Sequence, residues 1–431
     1  MKKSLFAVAA LSAIAGAAQA QSSVTVYGLL DMGYVGSNAK AVTSAGVVTK
    51  TTTSSFGQSQ EQTSRLGFKG TEDLGGGASA FFTVEMGLTP QSPNIGGSSL
   101  PKDAGQFNNN NGGSTLDNRQ SFVGLKKNGI GQFAFGRQYT PIFNAGAATD
   151  ASQYANVIGN VIYQGSSISG TDSAGGMGQG SYNYGFTNRA SNAITASSDK
   201  FAGFGVSGMY ALNNSNSTLT TSTTAGGNVN WNGWGLSADY TWQKLYATVA
   251  YQSFKTAYTN NVFSSSANTN VGVGITGGQV NTAASMFQPN QTTDKQTYVG
   301  ATYDFGILKA YAQWVGRKVQ NDTSYSTTYA AGQQSNRTAQ QIGVRSYITP
   351  TIEAWASVGN GKYTGSATSQ TSGLPASVSF FAYQLGSNYY LSKRTNLYAI
   401  YGQAQSTSSS AAVAGSGASG NQYTVGMRHT F

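Results

Sequence analysis

The feature that most constrains this chain is a repeated two-residue alternation of apolar and polar side chains. In the first such segment, Val24, Val26 and Leu30 share one face, and Thr25 and Asp31 share the other. Because successive side chains of a β-strand point to opposite faces, this period predicts strands with one apolar face. Segments with the same period run at 234–242 and 308–314. Each is about ten residues long, which is the length a tilted strand needs to cross a bilayer.

The connections between these segments are alternately short and long. Seven are short and carry turn residues, at 72–77, 127–131, 199–203, 243–244, 304–307, 349–350 and 392–395. Eight are long and rich in Ser, Thr, Asn and Gly, at 37–57, 89–116, 139–187, 213–233, 256–293, 318–337, 361–378 and 406–420. Seven turns and eight loops join 16 strands, so we expect an all-β, antiparallel transmembrane barrel. Its short turns would be periplasmic and its long loops extracellular.

Composition supports the barrel over the other classes of protein. Charged residues make up only 9% of the chain, where about 25% is usual. Beyond the N-terminus there is no apolar run of about 18 residues, and the mean hydropathy of −0.27 is too low for a helical membrane protein. A soluble β-sandwich does not need this regular interleaving of short and long connections, and no fixed repeat indicates a solenoid. About 16 strands enclose a lumen wide enough for water.

The N-terminus has the pattern of a secretory signal peptide. Met1-Lys2-Lys3 is a short basic start, 5–18 is small and apolar, and Ala18-Gln19-Ala20 is a small-x-small cleavage site. We expect cleavage after Ala20, which gives a signal peptide at 1–20 and a barrel at 21–431. The alternative is an N-terminal membrane anchor, for which the apolar run is short.

Charge and reactive residues argue against several activities. The net charge of +10 falls to 23 − 15 = +8 without Lys2 and Lys3, and the basic residues are scattered. This favours the lining of an aqueous path over nucleic-acid binding, which we do not expect. The chain has one His, His429, and no Cys, so neither a catalytic base beside a nucleophile nor a zinc site is expected. The glycines at 272–277 match a dinucleotide fingerprint without its βαβ context. We therefore expect no enzyme, metal or cofactor.

Several stretches together resemble the trimeric general porins of Gram-negative bacteria, in the form common in β-proteobacteria. They lie at 23–28, 64–70, 72–75, 118–125, 135–139 and 425–431, in the order in which the family has them. The resemblance implies a 16-stranded barrel, a homotrimer, and a third loop folded into the lumen. The last strand, with Tyr423, Val425, Met427 and Phe431 on one face, resembles the signal recognised by the barrel-assembly machinery.

Three arginines are candidates for the wall of a pore. Residues an odd number of positions apart on a strand have opposite parity and point to opposite faces. Arg65 has the opposite parity to Leu66, Arg119 has the opposite parity to Phe122, and Arg189 has the opposite parity to Ile194. Each arginine would therefore point inward if the apolar residue compared with it faces lipid. The resemblance implies that matching arginines line the constriction of the pore. Glu85 has the opposite parity to its apolar neighbours, and we expect it to face the lumen as well.

The third loop, at 139–187, has only two acids, Asp150 and Asp172, and we expect Asp150 to form the acidic side of the constriction. The acidic, glycine-containing run that family members often carry here is missing from this chain. With three arginines and few acids, the field in the lumen should favour anions.

The expected function is passive diffusion of inorganic ions and small hydrophilic solutes across the outer membrane, with mild anion selectivity. The expected partners are outer-membrane lipid and lipopolysaccharide. The alternatives are a substrate-specific channel and a surface adhesin that uses the loops.

Overall fold

The structure is a computed structural model, and it describes most of the strands and the inner part of one long loop. The described residues are 23–42, 46–91, 103–104, 117–163, 185–217, 227–259, 290–322, 334–365, 377–408 and 417–431. The predicted signal peptide at 1–20 lies outside this part of the chain.

The described residues form 18 strand segments and one helix. The first nine segments are β1 (Ser23–Val42), β2 (Val48–Gln58), β3 (Arg65–Gly75), β4 (Ala78–Gly87), β5 (Asp103–Ala104), β6 (Asp117–Lys127), β7 (Gly131–Tyr139), β8 (Arg189–Ser198) and β9 (Phe204–Ser217). The remaining nine are β10 (Gly227–Trp242), β11 (Leu245–Thr259), β12 (Asn290–Asp304), β13 (Lys309–Asn321), β14 (Gln334–Thr349), β15 (Ile352–Gly365), β16 (Ser377–Tyr390), β17 (Thr395–Ser408) and β18 (Gly417–Thr430). The helix α1 (Pro141–Ala148) follows β7.

These segments close into an antiparallel barrel of 16 strands, as predicted. β2 and β3 pair with the same edge of β1, at 32–42 and 23–29, so they form one barrel strand that is interrupted at 59–64. β5 is a two-residue segment that pairs parallel with β8 and is not a barrel strand. The barrel closes where β1 pairs with β18, from Leu29↔Thr430 to Val42↔Gly417.

The closing seam continues one residue beyond the ladder. The backbone N–H of Gly28 donates to the carbonyl of Phe431, and the N–H of Phe431 donates to the carbonyl of Gly28, both at 3.1 Å. A Cβ on Gly28 would lie 2.5 Å from the Phe431 ring and 2.6 Å from the carbonyl oxygen of Arg65. Glycine is therefore required at position 28 by the close approach of the Arg65 carbonyl oxygen together with the terminal ring.

The short turns lie where the alternation placed them, but the strands extend further into the predicted loops. The clearest error is the loop expected at 37–57. β1 and β2 pair from Met32↔Gln58 to Val42↔Val48, so only 43–47 connect them. Beyond the apolar band both faces of a strand meet water, so the alternation ends although the hydrogen-bond ladder continues.

The two faces of the barrel differ in polarity. Large apolar side chains are exposed on the outward face, for example Val26, Leu236 and Ile342. The inward face carries buried polar residues and, against the inserted loop, a cluster of apolar residues that includes Ile142, Ile162 and Tyr298. Among the described residues, no helix is long and apolar enough to cross a membrane.

Candidate pore constriction

A row of charged and phenolic side chains crosses six consecutive barrel strands on the inward face. The strands pair in the order β1, β3, β4, β6, β7 and β8, and the register brings the residues of the row to similar heights. We refer to this row as the basic row; its members are Tyr27, Arg65, Glu85, Arg119, Tyr139 and Arg189.

Glu85 and Arg119 form the centre of the basic row. Arg119 Nε lies 2.8 Å from Glu85 Oε1, and both side chains are almost fully buried. The hydroxyl of Tyr27 donates to the other carboxylate oxygen of Glu85 at 3.2 Å. Arg119 Nη2 also donates to the hydroxyl of Tyr139 at 2.8 Å. Glu85 points into the lumen, in the direction that its parity predicts. Its negative charge balances the positive charge of one of the three arginines.

A β-bulge brings Arg119 into the row, and the parity argument used for it was wrong. Phe122 pairs with Thr83, which shares the inward face with Glu85, so Phe122 does not face lipid. The register then shifts, because Glu85 pairs with Gln120 and the next residue, Met86, pairs with Asn118. Arg119 is the extra residue of the bulge, and a bulge redirects a side chain irrespective of parity.

Arg65 and Arg189 flank this pair and are partly exposed. Arg65 Nη2 donates to Gln62 Oε1 at 3.2 Å. Arg189 pairs in register with Tyr139, and its guanidinium carbon lies 5.3 Å from the centroid of that ring. Both arginines therefore lie on the inward face, and they present their charge to solvent more than the buried Arg119 does.

The described part of the third loop, 140–163 and 185–188, lies inside the barrel. Thr140 caps α1 by accepting a hydrogen bond from the N–H of Phe143, and Pro141 begins the helix. The ring of Phe143 stacks on Tyr139 with 4.1 Å between centroids. From there, aromatic contacts continue within the loop through Tyr154 to Tyr163. The apolar side chains of the loop thus pack on one another and on the barrel wall.

Inward-facing glutamines, which the sequence analysis missed, hold the backbone of this loop. Gln341 accepts from the N–H of Val161 at 3.0 Å, and Gln384 donates to the carbonyl of Val157 at 2.6 Å. Gln252, Gln296, Gln313 and Gln422 make further contacts of this kind. Each glutamine lies at an inward parity position, and glutamine recurring there on neighbouring strands is the signal that could have found them.

Asp150 is not exposed to an aqueous path, contrary to the expectation for it. Its side chain is 1% exposed and accepts hydrogen bonds from Ser152, Asn160, Gln341 and the N–H of Tyr154. Burial raises the pKa of Asp150, and the hydrogen bonds from Ser152, Asn160 and the N–H of Tyr154 oppose the shift. Asp150 therefore joins the loop to the barrel wall. Asp172, the other acid of the loop, lies outside the described residues.

A buried ion pair on β14 and β15 supports the same stretch of the loop. Arg345 makes two hydrogen bonds to Glu353, at 2.5 and 2.6 Å, and donates at 2.6 Å to the carbonyl of Ala151. Neither residue was singled out from the sequence, because strand parity alone does not show which inward charges meet the loop.

Comparison with known proteins decides the family. A family model described as Gram-negative porin matches residues 7–409. The chain belongs to this family. Family membership and the apolar outward face place the protein in the outer membrane.

The porin is similar to several curated relatives over part of their length. It is 38% identical over 149 residues to an outer membrane porin protein of Bordetella pertussis, covering 32% of this chain and 34% of the relative. It is 32% identical over 211 residues to the major outer membrane protein P.IB of Neisseria gonorrhoeae, covering 49% and 48%. The aligned regions thus span a third to a half of these relatives.

Solved structures share the fold over nearly the whole chain. The anion-selective porin from Comamonas acidovorans superposes with a TM-score of 0.61 at 22% identity, covering 95% of this porin and 100% of that chain. The trimer form of OmpT from Vibrio cholerae gives a TM-score of 0.55 at 12% identity, covering 95% and 99%. At these identities the likeness concerns the fold alone.

Proposed function

We propose that this porin is a passive channel for inorganic ions and small hydrophilic solutes, and that it prefers anions mildly. The observation that carries the proposal is the basic row on the inward face. It has three guanidinium groups and one carboxylate, so its net charge is 3 − 1 = +2. No reaction chemistry is needed, because a pore requires only a constriction and a field across it.

The loop narrows the lumen beside this row. Phe143 stacks on Tyr139, while the far part of the loop is held by Gln341 and Gln384 on the opposite wall. The Debye length is about 8 Å at physiological salt, so charges around a narrow passage act on every ion that crosses it. A bias of about 1 kcal/mol corresponds to a roughly fivefold preference for anions.

Reversal potentials in planar bilayers under a KCl gradient test this proposal. We expect wild-type channels to prefer chloride, and an Arg65→Gln/Arg189→Gln variant to approach equal permeability. A matched control is Lys244→Gln/Lys393→Gln, which removes two positive charges from exposed turns. A clear cation preference of the wild type would contradict the proposal, and so would equal effects of the two double variants.

We also infer a homotrimer with the long loops outside the cell. The orientation follows the general arrangement of outer-membrane barrels, which have short periplasmic turns. A homotrimer is supported by the resemblance and by the trimer form of OmpT, which shares the fold. Native mass spectrometry of the folded protein tests the oligomer, and a monomer only would contradict it.

The last strand is the proposed contact with the barrel-assembly machinery. Tyr423, Val425, Met427 and Phe431 are all exposed on the outward face, at 39%, 61%, 50% and 43%. An apolar row of this kind is available to a partner before the barrel closes. We expect Phe431→Ser to lower the yield of assembled barrel in cells, and an unchanged yield would contradict this role.

A further inference from the structure

Between β2 and β3 the chain leaves the barrel wall. Leu29 of β1 pairs with Arg65. Three residues further along β1, Met32 pairs with Gln58, so only two residues of β1 face the six residues 59–64. A β-bulge usually adds one residue to a strand, whereas this interruption adds 6 − 2 = 4. We call residues 59–64 the inward segment.

Asp31 of β1 holds the inward segment with both its backbone and its side chain. The N–H of Ser59 donates to the carbonyl of Asp31 at 2.8 Å, and the N–H of Asp31 donates to Oγ of Ser64 at 3.0 Å. One carboxylate oxygen of Asp31 accepts the N–H groups of Glu61 and Gln62, at 2.8 and 2.7 Å. Buried N–H groups need an acceptor, so this carboxylate fixes the middle of the segment.

The partners of the inward segment place it inside the barrel, against the third loop. The side chain of Asn156, in that loop, donates to the carbonyl of Ser59 at 2.7 Å, and its backbone N–H donates to the carbonyl of Gln60 at 2.8 Å. Gln422 on the barrel wall donates to the side chain of Gln60 at 2.7 Å, and it accepts from the N–H of Ile158 in the loop. The segment and the loop are therefore joined directly and through the wall.

The other side of the inward segment meets the basic row. Gln62 Oε1 accepts from Nη2 of Arg65 at 3.2 Å, so the segment helps to fix that guanidinium group. Glu61 is buried and lies 3.3 Å from Nη1 of Arg428. Gln62 and Thr63 are partly exposed. These two side chains are the part of the segment that a passing solute would contact.

We propose that the inward segment is a second constriction element of the pore, and that Asp31 is the residue that positions it. The segment connects the third loop to the Arg65 end of the basic row, so the three elements border the same passage. Its four additional residues occupy lumen that a continuous strand would leave to water. The inference rests on the proposed channel function, and it adds an element that limits the size of the solutes.

Deleting residues 60–63 tests the effect of the inward segment on pore size. The deletion leaves Ser59 and Ser64 opposite Asp31 and Leu30. Because an even number of residues is removed, every other side chain of the strand keeps its face. We expect a continuous strand, a higher single-channel conductance than that of the wild type, and a shift of the polymer cut-off to larger polyethylene glycols. Conductance measured with polymers of increasing size gives both quantities.

The deletion also removes the charge of Glu61, so Glu61→Gln is the matched control. It removes the same charge but keeps the segment. We therefore expect Glu61→Gln to change the reversal potential and to keep the wild-type polymer cut-off. A wild-type cut-off in the deletion variant, purified as folded oligomer, would overturn the proposal.

Two variants of Asp31 separate its positioning role from its charge. Asp31→Ala and Asp31→Asn both remove the carboxylate, but Asn keeps an oxygen that accepts hydrogen bonds from the N–H groups of Glu61 and Gln62. We expect Asp31→Asn to keep the wild-type polymer cut-off and Asp31→Ala to lose it. The same cut-off in both variants would show that Asp31 does not position the segment.

Thiol labelling tests the position of the segment without removing it, because the chain has no cysteine. A small charged thiol reagent should react with Gln62→Cys in the folded channel. One added charge at this depth should change the chloride-to-potassium permeability ratio roughly two- to fivefold, with opposite signs for cationic and anionic reagents. Phe56→Cys, which replaces a side chain 83% exposed on the outward face of β2, is the control and should show no change.

The outcomes distinguish this proposal from the channel function on which it rests. An unchanged permeability ratio of Gln62→Cys with both reagents would overturn the second constriction element. The wild type would still conduct ions in that case. Absence of any ion current in the wild type would instead contradict the proposed channel function.

Discussion

The hydroxyl of Tyr139 accepts a hydrogen bond of 2.8 Å from Nη2 of Arg119. The ring of the same tyrosine stacks on Phe143 at the start of the inserted loop and lies under the guanidinium of Arg189. One side chain therefore connects two arginines of the basic row to the loop. The position of these charges and the position of the loop depend on each other through Tyr139.

Replacing Tyr139 should show this dependence. Tyr139→Phe keeps the stack and removes one acceptor from Arg119, which still has Glu85, so we expect less than about a twofold change in anion preference. Tyr139→Ala also removes the stack, so we expect changed conductance as well as changed reversal potential. Tyr303→Phe, on the exposed outward face, is the control. Wild-type values of both quantities in Tyr139→Ala would show that Tyr139 positions neither element.

Removing the carboxylate of Glu85 should increase anion preference. Glu85→Gln raises the net charge of the basic row from +2 to +3, and we expect the chloride-to-potassium permeability ratio to rise roughly two- to fivefold. Arg119 is left without its ion pair in a buried position, so stability should fall by about 3 kcal/mol. Glu72→Gln, an exposed acid at a turn, is the matched control for charge. A lower anion preference in Glu85→Gln would contradict the placement of this residue.

Breaking the ion pair behind the loop should loosen the loop. Arg345→Gln leaves Glu353 buried without its cation and removes the hydrogen bond to Ala151, so we expect a loss of about 3–5 kcal/mol and noisier single-channel currents. Arg345→Gln/Glu353→Gln removes the uncompensated charge but does not restore the bond to Ala151. The double variant should therefore be more stable to heat than Arg345→Gln, but its single-channel currents should stay noisy. Quiet currents in both variants would mean that Arg345 does not hold the loop.

Adding one methyl group at the seam should disturb closure. Gly28→Ala places a Cβ 2.5 Å from the Phe431 ring and 2.6 Å from a backbone oxygen, and the backbone cannot give way as a flexible side chain can. Overpacking of this kind costs about 1–3 kcal/mol, so the melting midpoint of the barrel should fall. Gly208→Ala is the control, because its new Cβ would lie 3.3 Å from a leucine methyl group and at an ordinary contact distance of 3.9 Å from a backbone oxygen. Equal midpoints for the two variants would argue against this constraint.

Alternation of side chains, read from the sequence alone, predicted the barrel, its 16 strands and its seven short turns, because a two-residue period directly reports the two faces of a strand. It also predicted that Arg65 and Glu85 face inward, because no irregularity separates either of them from the residue used to judge its parity. A register shift between β7 and β8 separates Arg189 from Ile194, so parity alone did not justify the inward direction of Arg189.

Only the tertiary structure decided which of these inward groups meet. The bulge at Arg119, the burial of Asp150 and the glutamines that bind the loop all involve partners distant in sequence. Parity is a local property and is lost at a bulge, and it carries no information about the height at which two strands pair. The sequence therefore determined the faces of the strands, while register and loop packing determined the constriction.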